Sequence, residues 1–261
     1  MAANPFWYHT IEVAPGVVTP GWFDLRPIVD RLPWPDVRGR RCLDIGTYDG
    51  FFAFELERRG ASEVVATDIA DQELWDWPPR LRARGVEYLR TVAGSKKGAG
   101  FEIARELLGS SARLRQISVY DLGPERVGEF DVVVCGSLLL HLRDPLRALS
   151  AIRSVCTERF LSTNQVELRL SLLYRRRPLA RLDGLSDLCQ WWIPNARGHR
   201  QMLEMASFAV ERESPLYSEP FGVAHPPRGH APRTLVSQGA RRLFTGNDGV
   251  PHHAVLARPD A

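Results

Sequence analysis

The middle of the chain alternates short apolar runs with segments whose apolar residues follow helical spacing. This alternation, between residues 40 and 160, is typical of a parallel sheet with helices wound on both faces. The predicted strands are residues 41–46, 62–68, 112–119, 130–137 and 159–165, and the predicted helices are residues 51–60, 100–109 and 144–155. The run FDVVVCGS at 130–137 is almost continuously apolar, so we expect it at the centre of the sheet.

The rest of the chain has a less regular pattern. Residues 166–198 show no strand pattern, only an arginine-rich helical stretch and the run QWWIPN, and residues 218–250 are rich in proline, glycine and arginine. A helix at 199–208 and strands at 209–217 and 252–259 complete the prediction. We therefore expect an α/β fold with a doubly wound, mostly parallel, seven-stranded sheet, and we expect the two irregular segments to be insertions over one face.

The composition excludes several classes of protein. The 261 residues are 44% hydrophobic and 25% charged, as in ordinary globular proteins, and no run of 18 apolar residues could span a membrane. The start MAANPFWYHT lacks the features of a secretory signal, so we expect a cytoplasmic protein. Four cysteines without metal-ligand spacing predict buried, reduced thiols and no metal site. The net charge of +3 is weak evidence for a nucleic-acid partner.

The turn after the first core strand has the sequence LDIGTYDG, residues 43–50. In an open α/β sheet, ligands bind at the carboxyl ends of the strands, so this turn is expected to line a ligand site. A dinucleotide-binding turn follows the pattern G-x-G-x-x-G, but Tyr48 and Phe51 occupy two of the glycine places. Asp49 would repel a pyrophosphate at the helix start, and no GK[ST] follows for a P-loop. The turn therefore predicts a ligand without phosphate groups.

A ligand with an amine, a sulfonium and a ribose fits these residues, and S-adenosyl-L-methionine has all three. Asp44 can accept hydrogen bonds from the methionine ammonium, and Gly46 permits close backbone approach. Asp68 ends the second strand and can accept both ribose hydroxyls, and Asp121, after the third strand, can accept from the adenine amino group. The alternative is that these aspartates cap helices or lie in ordinary turns. Their placement at the ends of successive strands favours the cofactor site.

These residues resemble those of class I S-adenosylmethionine-dependent methyltransferases, and more narrowly the family of the carboxymethyl-transferring tRNA wobble-uridine enzymes. The segments that carry the resemblance are residues 7–24, 40–68 (including RRCLDIGTYDG), 100–110, 130–149 (FDVVVCGSLLLHLRDPLRAL) and 191–208. The resemblance implies one Rossmann-like domain over residues 1–261, with an N-terminal arm at 1–38, a cofactor-binding core at 39–165, and substrate-side insertions at 166–198 and 218–250.

One departure from the family pattern concerns the cofactor. In the tRNA enzymes a tyrosine before the histidine of the fourth-strand loop grips the extra carboxylate of a carboxylated cofactor. Leu140 stands at that place, and a buried carboxylate facing leucine would have no partner. Ordinary S-adenosyl-L-methionine is therefore the expected cofactor.

The resemblance also implies further contacts to the cofactor. It places Arg26 near the carboxylate of the cofactor, and it places Trp7 and Tyr8 in an arm over the sulfonium, where a cation–π contact is worth about 1 kcal/mol. Three more residues beside the strand ends are assigned to the cofactor site, namely Ile69, Tyr120 and Ser137. The alternatives are that Arg26 is solvated and that the arm packs its aromatic rings on the domain.

Methyl transfer to a hydroxyl requires a group that removes a proton. His141 follows the central strand and is the first candidate for this base, because imidazole titrates in the useful pH range. A structural role is its alternative, and the weaker candidates for the base are His9, His199 and His225. The residues expected to contact the acceptor are His9, Trp191, Trp192 and His199. The two tryptophans could stack on a flat acceptor or anchor the insertion to the core.

The expected function is methylation of a small-molecule acceptor, in the first instance a hydroxyl of a natural-product intermediate or a sugar. Modification of a tRNA wobble uridine is an alternative that the arginines at 175–177 permit, although a charge run is usually a solvated face. A protein that binds S-adenosyl-L-methionine without catalysis is a further alternative, which the intact turn and its acidic residues disfavour. No carboxylate cluster indicates a catalytic metal, and the sequence leaves the oligomeric state open.

Overall fold

The computed structural model of the protein describes residue 4 and residues 6–93, 97–185, 189–226 and 232–260. The described part of the N-terminal arm contains the short strands β1 (Trp7–His9), β2 (Glu12–Ala14), β3 (Val17–Val18) and β4 (Gly21–Phe23). β1 pairs with β4 in parallel, and β2 pairs with β3 in antiparallel orientation. Gly21 is required in this pairing, because a Cβ atom there would lie 2.2 Å from the backbone of His9. The arm therefore has β-structure of its own.

The other strands of the described residues are β5 (Arg41–Ile45), β6 (Glu63–Asp68), β7 (Arg113–Gln116), β8 (Phe130–Gly136), β9 (Cys156–Gln165), β10 (Ala180–Leu182), β11 (Trp192–Pro194), β12 (Phe208–Glu213), β13 (Tyr217–Glu219) and β14 (Val250–Pro259). The main sheet has the order β12-β14-β9-β8-β5-β6-β7, and β13 also pairs with β14. The strands β5 to β9 run parallel, whereas β14 runs antiparallel to β9, β12 and β13. The predicted mostly parallel α/β sheet is confirmed, and β13 is a short strand beyond the seven expected.

The helices of the described residues are α1 (Phe51–Arg58), α2 (Pro79–Arg82), α3 (Val86–Ala93), α4 (Ala99–Leu108), α5 (Pro124–Val127), α6 (Pro145–Val155), α7 (Leu168–Leu173), α8 (Ala196–Met205) and α9 (Pro232–Thr245). The predicted start of α6 is confirmed: the side chain of Asp144 accepts a hydrogen bond from the N–H of Arg147, and Pro145 is the first helical residue. In the part of the chain that the structure describes, no helix combines the length and apolar character needed to cross a bilayer.

Alternation along the central strands divides the hydrophobic core into two layers on opposite faces of the sheet. Leu43 and Ile45 of β5 pack in the layer that contains residues of α6 and α8. Cys42 of β5 and Val132 of β8 pack in the layer formed with the arm, α1 and α4. Since side chains of a strand alternate, Asp44 shares the face of Cys42. A carboxylate is thus placed in an apolar layer beneath the arm.

The irregular segments contain more regular structure than the sequence pattern predicts. Residues 166–198 contain the antiparallel pair β10 and β11, and residues 218–250 contain α9. The three residues of β10 are exposed, so no apolar alternation marks this strand and its pairing with β11 defines it. Residues 186–188 and 227–231 of the two predicted insertions lie outside the described residues.

Candidate active site

The turn between β5 and α1 has a backbone that favours glycine. Gly46 has a φ of 73°, and a Cβ atom there would lie 3.2 Å from the side chain of Leu138. Its N–H donates to the carbonyl of Thr67 over 2.8 Å, which ties the turn to β6. Tyr48 also has a positive φ, 54°, a conformation that costs a non-glycine residue roughly 1 kcal/mol. Backbone strain of this kind is typical of ligand sites.

Asp44, near the end of β5, forms no ion pair among the described residues. The residue is 1% exposed; the hydroxyl of Thr47 and the N–H of Ala53 lie near its carboxylate, but neither makes a well-formed hydrogen bond to it. Burial raises the pKa of this carboxyl from 3.8 to about 7. Because a buried carboxylate without a partner is costly, the arrangement fits a ligand that brings a cationic donor to this point.

Asp68 ends β6 and has several partners. One oxygen accepts from the N–H of Tyr48 at 2.8 Å, and the other accepts from the N–H of Ile69 at 2.7 Å and lies 3.4 Å from Nζ of Lys97. The Lys97 ammonium also lies over the rings of Tyr48 and Trp75, 4.3 and 4.2 Å from their centroids. No sequence signal marks Lys97 as part of this site. The first oxygen of Asp68 keeps a lone pair for a hydroxyl donor, since a carboxylate oxygen can accept two hydrogen bonds.

Asp49 binds the N-terminal arm. One of its oxygens accepts from the N–H groups of Tyr8, at 2.8 Å, and His9, at 2.9 Å, and the other contacts Nδ1 of His9. The arm is thereby held against the turn, which explains why the turn carries a second aspartate. The prediction that His9 contacts the acceptor is corrected, because this buried imidazole is engaged by Asp49 and anchors the arm.

Three other predicted cofactor contacts lie in or beside the arm. Trp7 is 2% exposed and packs in the hydrophobic core with residues of α4, so its assignment is corrected to the core. The ring of Tyr8 stacks on that of Tyr48 at a centroid distance of 4.8 Å, beside the strand ends. The guanidinium of Arg26 is exposed and donates to Asp24 at 2.8 and 2.7 Å. This ion pair favours the solvated alternative for Arg26, and its contact to a cofactor stays a prediction.

The two predicted cofactor residues in the turn after β7, Tyr120 and Asp121, lie in different surroundings. The side chain of Asp121 is 51% exposed and lies 3.9 Å from Arg126, so the predicted adenine contact is not supported. The hydroxyl of Tyr120 donates to Asp76 at 2.5 Å and accepts from the N–H of Asp144 at 3.1 Å. Asp76 also accepts from the backbone of the loop after β8. Tyr120 and Asp76 therefore join the loops that follow β7 and β8.

The loop after β8 is tied to the insertion that follows β9. Nδ1 of His141 donates to a backbone carbonyl of the insertion, and burial lowers the pKa of the imidazole from 6.5 to about 4. The indole N–H of Trp191 donates to the carbonyl of Asp76 at 2.6 Å, and that of Trp192 donates to the carbonyl of Arg143 at 3.1 Å. These hydrogen bonds favour the anchoring alternative for both tryptophans and the structural alternative for His141. The contact of the tryptophans to an acceptor stays a prediction.

His199, predicted to contact the acceptor, lies inside the protein. Its Nε2 is 2.9 Å from the hydroxyl of Ser162, its Nδ1 is 3.3 Å from Nδ1 of His253, and the residue is fully buried. Burial lowers the pKa of His199 well below its ordinary value. On the far side, His253 lies 3.3 Å from Glu213. These contacts join α8 to β9 and β14, so the prediction for His199 is corrected to a structural role.

A second group of polar side chains lies where β8 ends and β14 begins. Ser137, a predicted cofactor contact, has a φ of 49°, and its hydroxyl lies 2.7 Å from Nε2 of His252. Nδ1 of His252 donates to the carbonyl of Val250 at 2.8 Å, and the carboxylate of Glu219 lies 3.4 Å from Nε2. His252 and Glu219 are 2% and 4% exposed. The sequence analysis missed this group because β8, β13 and β14 each contribute part of it; the paired histidines of HHAVLARP are its sole sequence signal.

Titratable groups outside these clusters add no further chemistry. Within the described ranges, no three His, Cys, Asp or Glu side chains are grouped so as to hold a metal ion. The four cysteines are free thiols, buried at Cys42, Cys135 and Cys156 and half-buried at Cys189. Burial raises the pKa of each thiol, so none is a thiolate at neutral pH. Carboxylates and imidazoles therefore carry the chemistry of the site.

The strand order and the strand-end residues define a class of protein. A parallel sheet closed by the antiparallel β14, with a glycine turn after β5 and acidic residues at the ends of β5 and β6, is the arrangement of a Rossmann-like, class I methyltransferase. The sequence pattern of a methyltransferase domain family matches residues 24–211, well over half of the chain. The chain therefore belongs to this methyltransferase domain family, and the class predicted from the sequence is confirmed.

Known proteins share parts of this sequence and fold. The chain is 27% identical over 130 residues to a ubiquinone biosynthesis O-methyltransferase of Acinetobacter baylyi, covering 48% of this chain and 44% of that protein. It is 26% identical over 180 residues to a tRNA U34 carboxymethyltransferase of Campylobacter hominis, covering 67% and 53%. A structure of 1,6-didemethyltoxoflavin-N1-methyltransferase of Burkholderia thailandensis has a TM-score of 0.51 at 14% identity, covering 86% and 72%, and supports the fold. The chain spans about half the length of the curated relatives it matches.

Proposed function

We propose that the protein transfers a methyl group from S-adenosyl-L-methionine to a small-molecule acceptor. The observation that carries this proposal is Asp44, a buried carboxylate near the end of β5 that forms no ion pair and no well-formed hydrogen bond among the described residues. A buried carboxylate of this kind requires a cationic donor, and the ammonium group of the methionine moiety is one. Membership of the methyltransferase domain family supports the same ligand.

The residues around the turn would hold the cofactor and orient it. When bound, S-adenosyl-L-methionine supplies a methyl group on a positively charged sulfur that is a good leaving group. Asp44 would accept from its ammonium group, Asp68 would accept from a ribose hydroxyl, and Gly46 would let the backbone approach closely. The stacked rings of Tyr8 and Tyr48 would exclude water on the side of the arm. These residues align the reactants, and another group must remove the proton of the acceptor.

Leu140 supports an unmodified cofactor. Its side chain is 2% exposed and has no hydrogen-bond donor, so an added carboxylate on the cofactor would find no partner from this residue. The proposed cofactor is therefore S-adenosyl-L-methionine itself.

The proposed acceptor is a small molecule with a hydroxyl group, such as a natural-product intermediate or a sugar. The similarity to a relative named as a ubiquinone biosynthesis O-methyltransferase supports an oxygen acceptor. The arm and the segment after β13 also support a small acceptor, because a β-bridge joins Phe23 to Phe221 and the N–H of Gly222 donates to the carbonyl of Trp22. These contacts hold the segment after β13 against the arm, where it would cover one side of the proposed site and favour a small acceptor.

Calorimetric titration with S-adenosyl-L-methionine tests the proposal. We expect the wild-type protein to bind, and we expect Asp44→Asn to bind about 10- to 100-fold more weakly, since a hydrogen bond to a charged group contributes about 1.5–3 kcal/mol. Asp121→Asn is the matched control, because this exposed aspartate is expected to leave affinity unchanged. Absence of binding by the wild type at millimolar cofactor would refute the proposal. Release of S-adenosylhomocysteine with an acceptor separates an enzyme from a protein that binds without catalysis.

Modification of a tRNA wobble uridine is a second candidate. One observation favours it, namely the similarity to a tRNA U34 carboxymethyltransferase over 67% of this chain. Arg175, Arg176 and Arg177 form an exposed basic run after α7 that could meet phosphates. Tight, strongly salt-dependent binding of bulk tRNA that is lost when all three arginines become glutamine would favour this candidate over a small molecule. Weak binding that the triple variant does not change would remove it.

A further inference from the structure

The polar group at the start of β14 has the chemistry of a site that binds a hydroxyl and accepts its proton. We propose that His252, positioned by Glu219, is the general base of the reaction and that the acceptor is a phenolic hydroxyl on a flat ring. This inference rests on the proposed function, because the base serves the same methyl transfer.

The sheet brings His252 to the same edge and face as Asp44. β14 runs antiparallel to β9, so its first residues lie beside the last residues of β9, and His252 pairs with Gln165. The carboxyl ends of β5, β8 and β9 lie at that edge. Ala254 packs in the core layer beneath the arm, so alternation directs His252 to that layer and His253 to the opposite one. Asp44 lies on the face of His252.

The hydrogen bonds of His252 leave the atom needed for a base at the site. Because Nδ1 donates to the carbonyl of Val250, the neutral ring carries its lone pair on Nε2, which accepts from the hydroxyl of Ser137 at 2.7 Å. The acceptor hydroxyl would take the place of the Ser137 hydroxyl at this atom. Glu219, 3.4 Å from Nε2, would stabilise the imidazolium that forms. His141 has a weaker claim, since its buried imidazole has a pKa of about 4 and is tied to the insertion.

The proposed methyl transfer requires only these side chains, the acceptor and S-adenosyl-L-methionine. As the bond from the acceptor oxygen to the methyl carbon forms, the bond from that carbon to sulfur breaks, and the sulfur keeps the electron pair. The proton of the acceptor hydroxyl passes to Nε2 of His252, where the carboxylate of Glu219 offsets the new positive charge. His252 then loses this proton to solvent when the product leaves.

Independent observations indicate that a polar ligand belongs here. The hydroxyl groups of Tyr217 and Thr163 are buried beside one another, and the ring of Tyr217 lies 5.8 Å from that of His252. Ser137 holds a left-handed backbone conformation that is strained for serine. Hydroxyl groups with one partner each can make a further hydrogen bond, so a ligand with oxygen atoms would fit beside this group.

The aromatic residues beside this group favour a flat ring. The rings of Tyr8, Phe23, Phe221 and His225 follow one another at centroid distances of 5.1, 5.8 and 3.9 Å. Tyr8 lies within the electrostatic influence of the polar group: burial and, second, the charge of Glu219 raise the pKa of the Tyr8 hydroxyl. A phenol, with a pKa of about 10, gives up its proton to a general base far more readily than an aliphatic alcohol does. The acceptor class that fits both features is a phenol.

Binding of 4-nitrophenol tests the site without turnover, since the phenolate absorbs visible light and the phenol does not. With S-adenosylhomocysteine present, the wild type is expected to bind the probe as phenolate and to lower the apparent pKa of the probe by about 1 unit or more. His252→Gln should abolish this shift, Glu219→Gln should reduce it, and Glu219→Asp should restore most of it. His253→Gln is the matched control, because the adjacent buried histidine faces the opposite side of the sheet and should leave the shift unchanged.

Turnover of simple phenols and of the corresponding cyclohexanols gives the second measurement. We expect S-adenosylhomocysteine release with phenols, and about a 100-fold or greater loss of kcat in His252→Gln with little change in KM for the cofactor. Full kcat in a folded His252→Gln, or faster turnover of the cyclohexanols, would overturn the inference, as would cofactor binding without use of any phenol. If His252→Gln does not fold, nitrogen NMR of the wild type reports whether His252 is protonated when 4-nitrophenol is bound. An imidazole that stays neutral in this complex would also overturn the inference. Failure to bind the cofactor would instead refute the proposed function.

Discussion

Binding of S-adenosyl-L-methionine is expected to release a proton from Asp44. Burial raises the pKa of this carboxyl to about 7 in the ligand-free protein. An ammonium group about 4 Å away attracts a carboxylate by roughly 4 kcal/mol at an effective dielectric constant of about 20, which corresponds to about three pH units. The complex should therefore keep Asp44 ionised down to a pH of about 4. Affinity for the cofactor should consequently rise with pH between these two values.

The size of this change in affinity follows from the pKa of Asp44 in the free protein and in the complex. Between pH 5 and pH 7, binding should become about 50-fold tighter, close to tenfold per pH unit below the pKa of the free carboxyl. Calorimetry measures Kd at each pH, and buffers with different ionisation heats should show release of about 0.9 proton per cofactor at pH 6. The series ends at pH 7.5, because an α-amino group begins to lose its proton near a pH of about 8. Asp44→Asn should bind weakly with a Kd that does not vary across the series.

Two results would contradict this reasoning. One is a wild-type Kd that stays constant from pH 5 to pH 7, and the other is an equal pH dependence in Asp44→Asn. Stability of the ligand-free protein gives a separate check. Because the folded-state pKa of Asp44 lies above the unfolded value, its stabilising contribution is present at low pH and is lost as the pH rises through about 7. At pH 8, urea unfolding should therefore show Asp44→Asn to be more stable than the wild type, by up to about 4 kcal/mol.

Three further predictions concern residues that support the candidate site. Gly46→Ala should lower the free energy of unfolding by about 1–2 kcal/mol in urea, because alanine is strained at a φ of 73° and its Cβ would press on Leu138; an unchanged value would contradict the left-handed turn. Asp49→Ala should destabilise the protein by about 3 kcal/mol and expose the arm to proteases, since it removes the hydrogen bonds to Tyr8 and His9; equal digestion of both proteins would show that these bonds do not hold the arm. The pKa of His141 is about 4 in the folded protein and about 6.5 in the unfolded protein, so the unfolded chain takes up a proton first as the pH falls. The contribution of His141 to the free energy of unfolding is therefore complete above pH 6.5 and falls by up to about 3 kcal/mol as the pH drops to about 4. Urea unfolding at pH 7 and pH 4.5 should show this loss in the wild type and not in His141→Gln, and an identical loss in both would count against it.

The central sheet could be predicted from the sequence because burial leaves a direct pattern. β8 is covered on both faces, so its residues are almost continuously apolar, and its predicted and observed bounds agree within a residue. β10 and α9 were not predictable in the same way. β10 is a strand because of its hydrogen bonds to β11, and α9 is a helix with large exposed apolar side chains such as Val236 and Leu243. Pairing with β11 defines β10, whereas the exposed apolar side chains of α9 blur the amphipathic pattern that would have predicted this helix.

The positions of three residues proposed to hold the cofactor were predictable for a related reason. The positions of Asp44, Gly46 and Asp68 follow from the ends of their strands, which the sequence pattern locates. The orientations of other side chains depend on partners far along the chain. The indole of Trp191 is fixed by Asp76, 115 residues away, and the imidazole of His199 by Ser162, 37 residues away. Residue type alone does not reveal such partners, so the sequence assigned both residues to the acceptor site without revealing the contacts that hold them.

The pairing of β14 with β9 has a consequence for synthesis of the protein. Residues 7–24 of the arm are translated before the central sheet, whereas Glu219 and His252 belong to strands that are translated near the end of the described chain. On the ribosome, the edge of β9 that later receives β14 remains an open sheet edge, with free N–H and C=O groups that favour pairing with other chains. A nascent chain halted near residue 215 should therefore aggregate readily or recruit a chaperone, although its cofactor turn is already complete.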